Sequence, residues 1–202
     1  MGARQPALAP RGDLREGAQV MTTDERLLST DTATAVINAP IARVDIGDWL
    51  FHLPDAEYQR CAPGQHIAAG VTTTDGGRPM SINVEQIAGT LLVQHYVPEV
   101  LEPHHCVLVS ETDVITPRGR TTIQITWDLS AQADGDGRCT YTNTVSAHAT
   151  DEYFSFLDEQ GIGVEQGAAE RQENMTAHNR LETPLFAESI ERRALGAPAF
   201  GA

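Results

Sequence analysis

The sequence predicts an α+β domain in which a curved antiparallel sheet folds around a long C-terminal helix that two glycines and a proline threaten to break. Two observations carry this. Strand-like segments follow one another between about residues 66 and 150, and a segment of helical period runs on from Asp151 to about Leu195. Only one short strand and one or two short helices come before the strand run. Strands joined by short turns make an antiparallel meander, and a half-apolar helix must bury its stripe against that sheet. A space suited to a small molecule is left between them.

In chain order, Thr32 to Ile37 is β-branched and strand-like, and Asn38-Ala39-Pro40 ends it because proline removes a donor and restricts its predecessor. Apolar residues at 41, 44, 46, 49 and 50 give Ile41 to Phe51 a loose helical period. Pro54-Asp55-Ala56-Glu57-Tyr58 reads as a second helix start, with proline in the first turn and acids near the N-terminus. Pro63-Gly64 stops it; a strand follows near His66 to Thr73, and Asp75-Gly76-Gly77 turns the chain.

Met80 to Ala88 and Leu91 to Val97 flank Gly89-Thr90, a two-residue loop with glycine first that suits a type II′ hairpin. In that register Ala88 faces Leu91, Gln86 faces Val93, Val84 faces His95 and Ile82 faces Val97. The face holding these residues is the more apolar one and is expected to line the interior, with Gln86 and His95 as its polar members. The opposite face holds Ile87 and Leu92, then Glu85, Gln94, Asn83 and Tyr96.

His105 to Ile115 forms a further strand after a bend at Leu101-Glu102-Pro103. Thr121 to Ala131 alternates, with Ile123, Ile125, Trp127 and Leu129 on one side. Cys139 to Ala149 alternates too, with Tyr141, Asn143, Val145 and Ala147 together and a threonine-rich wet face opposite. Thr150 and Asp151 are N-cap candidates for a helix carrying Tyr153, Phe154, Phe156 and Leu157, which Gly161-Ile162-Gly163 interrupts. From Val164 to Glu182 the period places Val164, Ala168, Met175, His178, Leu181 and Leu185 near one face. Thr183-Pro184 reads as an N-cap with proline at N1, so a kinked or separate last helix is expected over Leu185 to Leu195.

These boundaries suggest an N-terminal arm over 1–30, one domain over 31–196 and a tail over 197–202. Met21, followed by Thr-Thr-Asp-Glu, is an alternative start. The formal net charge of −14 disfavours binding a phosphate backbone, so no nucleic acid partner is expected. All 14 basic residues are arginine, which removes Schiff-base chemistry, a pyridoxal-phosphate linkage and a P-loop lysine. The three cysteines, Cys61, Cys106 and Cys139, are odd in number and widely spaced, as expected in a reducing cytoplasm. No apolar run approaches membrane-spanning length.

Candidate chemistry gathers on the expected inner faces. Gln86 and His95 on the hairpin and His178 on the helical stripe are polar positions in apolar surroundings. Two histidines facing one cavity can bind a polar group or move a proton, so His95 and His178 are the acid/base candidates; buried histidines bonded to backbone are the plain alternative. Trp127, Tyr141, Asn143 and Met175 complete the expected ligand-binding set, an aromatic wall with a few directed polar groups. Glu102, His104, His105 and Cys106 suggest a metal, but alternation splits the two histidines between faces, and no CxxC or HExxH spacing occurs. No metal and no cofactor are therefore expected; nucleophile-elbow, dinucleotide-binding and Walker motifs do not occur in the chain either.

The order of elements, with Ala35-Val36-Ile37-Asn38-Ala39-Pro40 closing the first strand and Trp49-Leu50 and Leu53-Pro54-Asp55 in the helical segment, resembles the SRPBCC (START-like, helix-grip) superfamily over about residues 32–195. The resemblance implies a sheet gripping the last helix around a hydrophobic cavity for lipids, sterols, polyketides or other apolar ligands. Some members are polyketide cyclases or aromatases. It carries over no universal catalytic set, and Gly161-Ile162-Gly163 and Pro184 depart from the family's unbroken gripping helix.

Three readings stay open: a binder of a small apolar or amphipathic molecule; a cyclase or dehydratase on the same fold, using His95 or His178 with Tyr141 or Asn143; and an interaction module, homodimeric through an outer patch of Ile87, Leu92 and Tyr96.

Overall fold

The computed structural model describes Thr22, residues 24–135 and residues 137–198. Seven strands form one antiparallel sheet: β1 (Leu27–Ile37), β2 (His66–Thr73), β3 (Pro79–Ile87), β4 (Thr90–Glu102), β5 (His105–Thr116), β6 (Gly119–Ala133) and β7 (Cys139–Ala149). Four α-helices accompany them: α1 (Ile46–Phe51), α2 (Asp55–Cys61), α3 (Asp151–Gln160) and α4 (Val164–Ala194). The fold is the helix-grip α+β arrangement, a curved sheet around the long C-terminal helix.

The sheet order β1-β7-β6-β5-β4-β3-β2 puts β1 and β2 at opposite edges. α1 and α2 carry the chain between those edges and meet α4 on the concave side. There Trp49 donates its indole N–H to Ser189 at 2.8 Å and meets the Phe186 ring edge-on at 5.2 Å. The inward sides of β6 and β7 form the apolar core, with Ile123, Ile125, Trp127, Leu129, Tyr141 and Ala147 all buried. Their alternation is the expected one.

Several boundaries differ from the sequence expectation. β1 begins at Leu27, inside the segment expected as an arm; residues 1–21 and 23 lie outside the described residues, as do residues 199–202 of the tail. The Gly161-Ile162-Gly163 break is real: Gly161 caps α3 with a left-handed φ of 65°. The break at Pro184 is not, since α4 runs on through it. Pro184 and Arg180, whose carbonyl loses its helical partner, are both exposed residues, on the side of the helix where solvent can compensate for the lost bond.

The β3–β4 hairpin needs two corrections. Its loop is Ala88-Gly89, with positive φ at both residues (49° and 84°) as a type I′ turn requires, closed by Ile87 opposite Thr90. Gln86 therefore pairs with Leu91, and Ile82 with His95. The shift is even, so each strand's residues keep their face-mates, but the inner face is the other one. Ser81, Asn83, Glu85, Leu92, Gln94 and Tyr96 are buried, whereas Gln86 is exposed and His95 only half-buried. β-Branched residues suit any pleated strand surface, so Ile82, Val84 and Val93 sit half-buried on the convex side and mislead a count of apolar residues. The outer patch of Ile87, Leu92 and Tyr96 falls with this correction, because all three face inward.

Candidate functional site

Between the concave face and α3–α4 lies a cavity of about 380 Å³. Leu92, Val114, Ile125, Trp127, Val145, Phe156 and Leu157 give it apolar walls. Exposed Pro117, Arg118, Glu170 and Asn174 mark its outer end, and buried Glu85, Gln94, Tyr96 and Glu182 its inner end. Gly167 lets α3 and α4 approach at the lining: a Cβ there would lie 3.2 Å from the Tyr153 hydroxyl and 3.3 Å from Leu157 Cδ2.

The inner end is a network of buried ionisable groups. His178 and Glu182 stand one turn apart on α4, where side chains share a face, with Nε2 and Oε2 3.3 Å apart. His66 opens β2 directly opposite Glu85 of β3, and its Nε2 lies 3.2 Å from Glu182 Oε2 and 3.8 Å from Glu85 Oε1. His178 Nε2 is 3.8 Å from Glu85 Oε2. Each imidazole spends its other nitrogen on an oxygen: His66 Nδ1 on the Tyr58 carbonyl at 2.8 Å, His178 Nδ1 on Gln65 Oε1 at 2.6 Å. The Tyr58 ring stacks on His66 at 3.9 Å.

Neighbours hold both carboxylates in place. Tyr58 donates its hydroxyl to Glu85 at 2.7 Å, and Gln94 donates Nε2 at 3.2 Å. Asn143 donates Nδ2 to Glu182 at 3.1 Å while accepting the Trp127 indole N–H at 2.8 Å. Burial opposes ionisation of Glu182, yet the His178 and His66 rings beside it hold its carboxyl well below the usual range. Burial likewise disfavours the His178 cation, but the Glu182 carboxylate, with Glu85 behind it, lifts the ring to about 9. Burial and the Glu85 charge push the Tyr58 phenol up.

Arg171 also lines the cavity, and its Nε is buried without a hydrogen-bond partner. Burial holds its guanidinium below the usual arginine range.

Of the residues singled out from sequence, Trp127, Met175 and His178 line the cavity. Asn143 lies behind it, positioning Glu182 and Trp127. Tyr141 is fully buried in the core with its hydroxyl unpartnered. Gln86 and His95 are on the convex side of the sheet and do not meet His178. The histidine beside His178 is His66, with ring centroids 5.2 Å apart. Reading the sequence as strands and helices missed His66, Glu85, Glu182 and Arg171. The His178–Glu182 spacing was the one available signal, since the His66–Glu85 pair depends on the β2–β3 register. The Glu102, His104, His105, Cys106 group does not converge: His104 bonds the Ile41 carbonyl, His105 meets Asp128 and the Cys106 thiol bonds the Glu102 carbonyl.

No family model matches the chain, and no curated protein does. Solved structures of the same fold include the di-domain aromatase/cyclase StfQ of the steffimycin biosynthetic pathway, with 12% identity over 85% of this chain and 54% of that one and a TM-score of 0.56. The di-domain aromatase/cyclase BexL of the BE-7585A pathway matches with 15% identity over 85% of this chain and 52% of that one and a TM-score of 0.50. This chain thus spans about half the length of either. The Zhui aromatase/cyclase from Streptomyces sp. R1128 matches with 12% identity over 84% of this chain and 98% of that one and a TM-score of 0.55. The likeness is one of fold.

Proposed function

We propose that this protein binds one small amphipathic molecule in the cavity, with an aromatic or otherwise apolar body along the Trp127 wall and an acidic or oxygen-rich group at Arg171. The observation that carries the reading is Arg171: its guanidinium Nε is buried without a partner on the cavity lining. Such a group is costly unless a ligand completes its bonds. Among the described residues no helix is long and apolar enough to cross a membrane, and the proposal needs none.

The probe is 8-anilinonaphthalene-1-sulfonate, an aromatic anion, followed by its own fluorescence. A single saturable site is expected in the wild type, weakened at least tenfold in Arg171→Met. Multi-site, unsaturable binding, or binding indifferent to Arg171→Met, speaks against the reading. Native mass spectrometry of protein from its own host identifies any retained ligand.

The floor network favours a second reading, an enzyme of the aromatase/cyclase kind. Proton removal next to a carbonyl and its return to an oxygen need a base and an acid within reach of the substrate. Glu85, His178 and Glu182 offer such groups to the cavity. Turnover of a poly-β-ketone thioester analogue into an aromatic product, lost in His178→Gln but kept in His95→Ala, is the expected result. No product with wild-type protein argues for binding alone.

A further inference from the structure

We propose that His66, Glu85, His178 and Glu182 bind one divalent transition-metal ion at the cavity floor, with zinc(II) as the ion the donors suit best. Their donor atoms all lie within 4.8 Å of one another, and all four residues are buried.

The spacing fits a shared ion. Hydrogen bonds between nitrogen and oxygen run to about 3.2 Å, whereas two of the four histidine–carboxylate distances are 3.8 Å and the others are 3.2 and 3.3 Å. Four ligands at about 2.1 Å from a tetrahedral ion lie about 3.4 Å apart, in the middle of that set.

Proton placement points the same way. Each Nδ1 faces an oxygen acceptor, the Tyr58 carbonyl or Gln65 Oε1, and so carries the hydrogen. With Nδ1 engaged, Nε2 is the ring nitrogen that faces the carboxylates in both histidines. A dication can take the place of a proton there, accepting both lone pairs and neutralising both carboxylates. Metal-bound histidines and carboxylates are held by outer hydrogen bonds of this kind; here Tyr58, Gln94 and Asn143 supply those to the carboxylates.

An independent sign is Gln94. It donates to Glu85, yet its Oε1 is buried with no partner on the cavity wall. That oxygen is an open acceptor on a side chain that already holds one of the four ligands. Two nitrogens and two carboxylates suit Zn²⁺, Fe²⁺ or Mn²⁺, while Ca²⁺ and Mg²⁺ favour all-oxygen shells.

The inference rests on the cluster and not on the cavity's ligand, so it is tested with metal alone. Tag-free full-length protein, stripped with a chelator and dialysed, is titrated with Zn²⁺ by calorimetry and with Co²⁺ by visible absorption. Expected are one equivalent of Zn²⁺, a raised Tm, and the intense d–d band of four-coordinate Co²⁺. Glu182→Gln and His66→Gln are expected to weaken Zn²⁺ binding by about 100-fold or more, the scale at which even outer-sphere changes act; His105→Gln is expected to change nothing. No stoichiometric uptake, or uptake undiminished in both cluster variants, overturns the proposal. Should the variants not fold, wild-type Co²⁺ decides: the weak spectrum of water-coordinated ion overturns the site. Sulfonate-probe binding in excess chelator tests the cavity reading separately.

Discussion

The concave face of the sheet has two walls of opposite character. Over β6 and β7 it presents Ile123, Ile125, Trp127 and Leu129, backed by Tyr141 and Ala147. Over β3, β4 and β5 it sets Ser81, Asn83, Glu85, Gln94, Ser110 and Thr112 among Leu92, Tyr96, Leu108 and Val114, all buried. Burying the first wall is favourable by its area alone. Burying the second is favourable only while every charge has a partner; α4 brings His178 to Glu85, and its own Glu182 is met by His178 and His66. The first wall stabilises the fold whether or not a ligand lies on Trp127, whereas the second is the kind of surface a fold keeps for binding or chemistry at some cost to itself.

The most severe break in the comparison is expected from Phe186→Ala, which removes a fully buried ring packed on Trp49, Tyr58, His66 and Trp127. Truncation of a core aromatic costs about 3–5 kcal/mol, read as a lower denaturation midpoint with unchanged m. Glu182→Ala belongs to the same range, about 3–5 kcal/mol, because it strands buried partners. The sharper contrast is to replace all four floor residues with apolar side chains of similar volume. The polar wall then loses its function but keeps or gains stability; no apolar-wall deletion should do that.

Gly167→Val is expected to cost less, about 1–3 kcal/mol, by pressing on Tyr153 and Leu157 where α3 meets α4. Thermal denaturation measures it, and a neutral result means the two helices give way more easily than their packing implies.

The pH profile of chelator-treated protein should single out the polar wall. His178 is raised to about 9, so its contribution is fully present below its unfolded value of about 6.5 and fades as pH rises through 9. Glu182 is lowered, so its contribution is present above the ordinary glutamate range and fades as pH falls below it. Stability should therefore peak between those ordinary values, and the alkaline decline should vanish in His178→Gln. The smallest effects belong to the convex side: Gln86→Ala and His95→Ala should stay within about 0.5–1 kcal/mol and leave probe binding unchanged.

The two walls also differ in how far the sequence reveals them. On β6 and β7 the inward residues are apolar except for Thr121 and Asn143, so alternation finds the core, and Trp127 is correctly aimed. On β3 and β4 the residues that must meet His66, His178 and Glu182 are polar, so the same rule picks the solvent-facing valines and isoleucines and turns the hairpin inside out. The loop slip from Gly89-Thr90 to Ala88-Gly89 has a local cause, since Ala88 adopts a positive φ that propensity assigns to glycine or asparagine. Continuity of α4 through Pro184 goes with a solvent-facing position for Pro184 and Arg180, which is a tertiary fact. His66 could not be matched to Glu85 without the β2–β3 register, although His178 and Glu182 were legible as an i,i+4 pair.

The central claim is that the cavity under α3 and α4 is a binding site in which Arg171 holds the ligand's acidic group. Titration of 8-anilinonaphthalene-1-sulfonate into wild type and into Leu92→Trp, which fills the cavity from β4, tests it most directly. The expected result is one saturable site in the wild type that disappears in Leu92→Trp while cooperative unfolding is retained. Undiminished binding in a folded Leu92→Trp protein would place the site elsewhere and contradict the account.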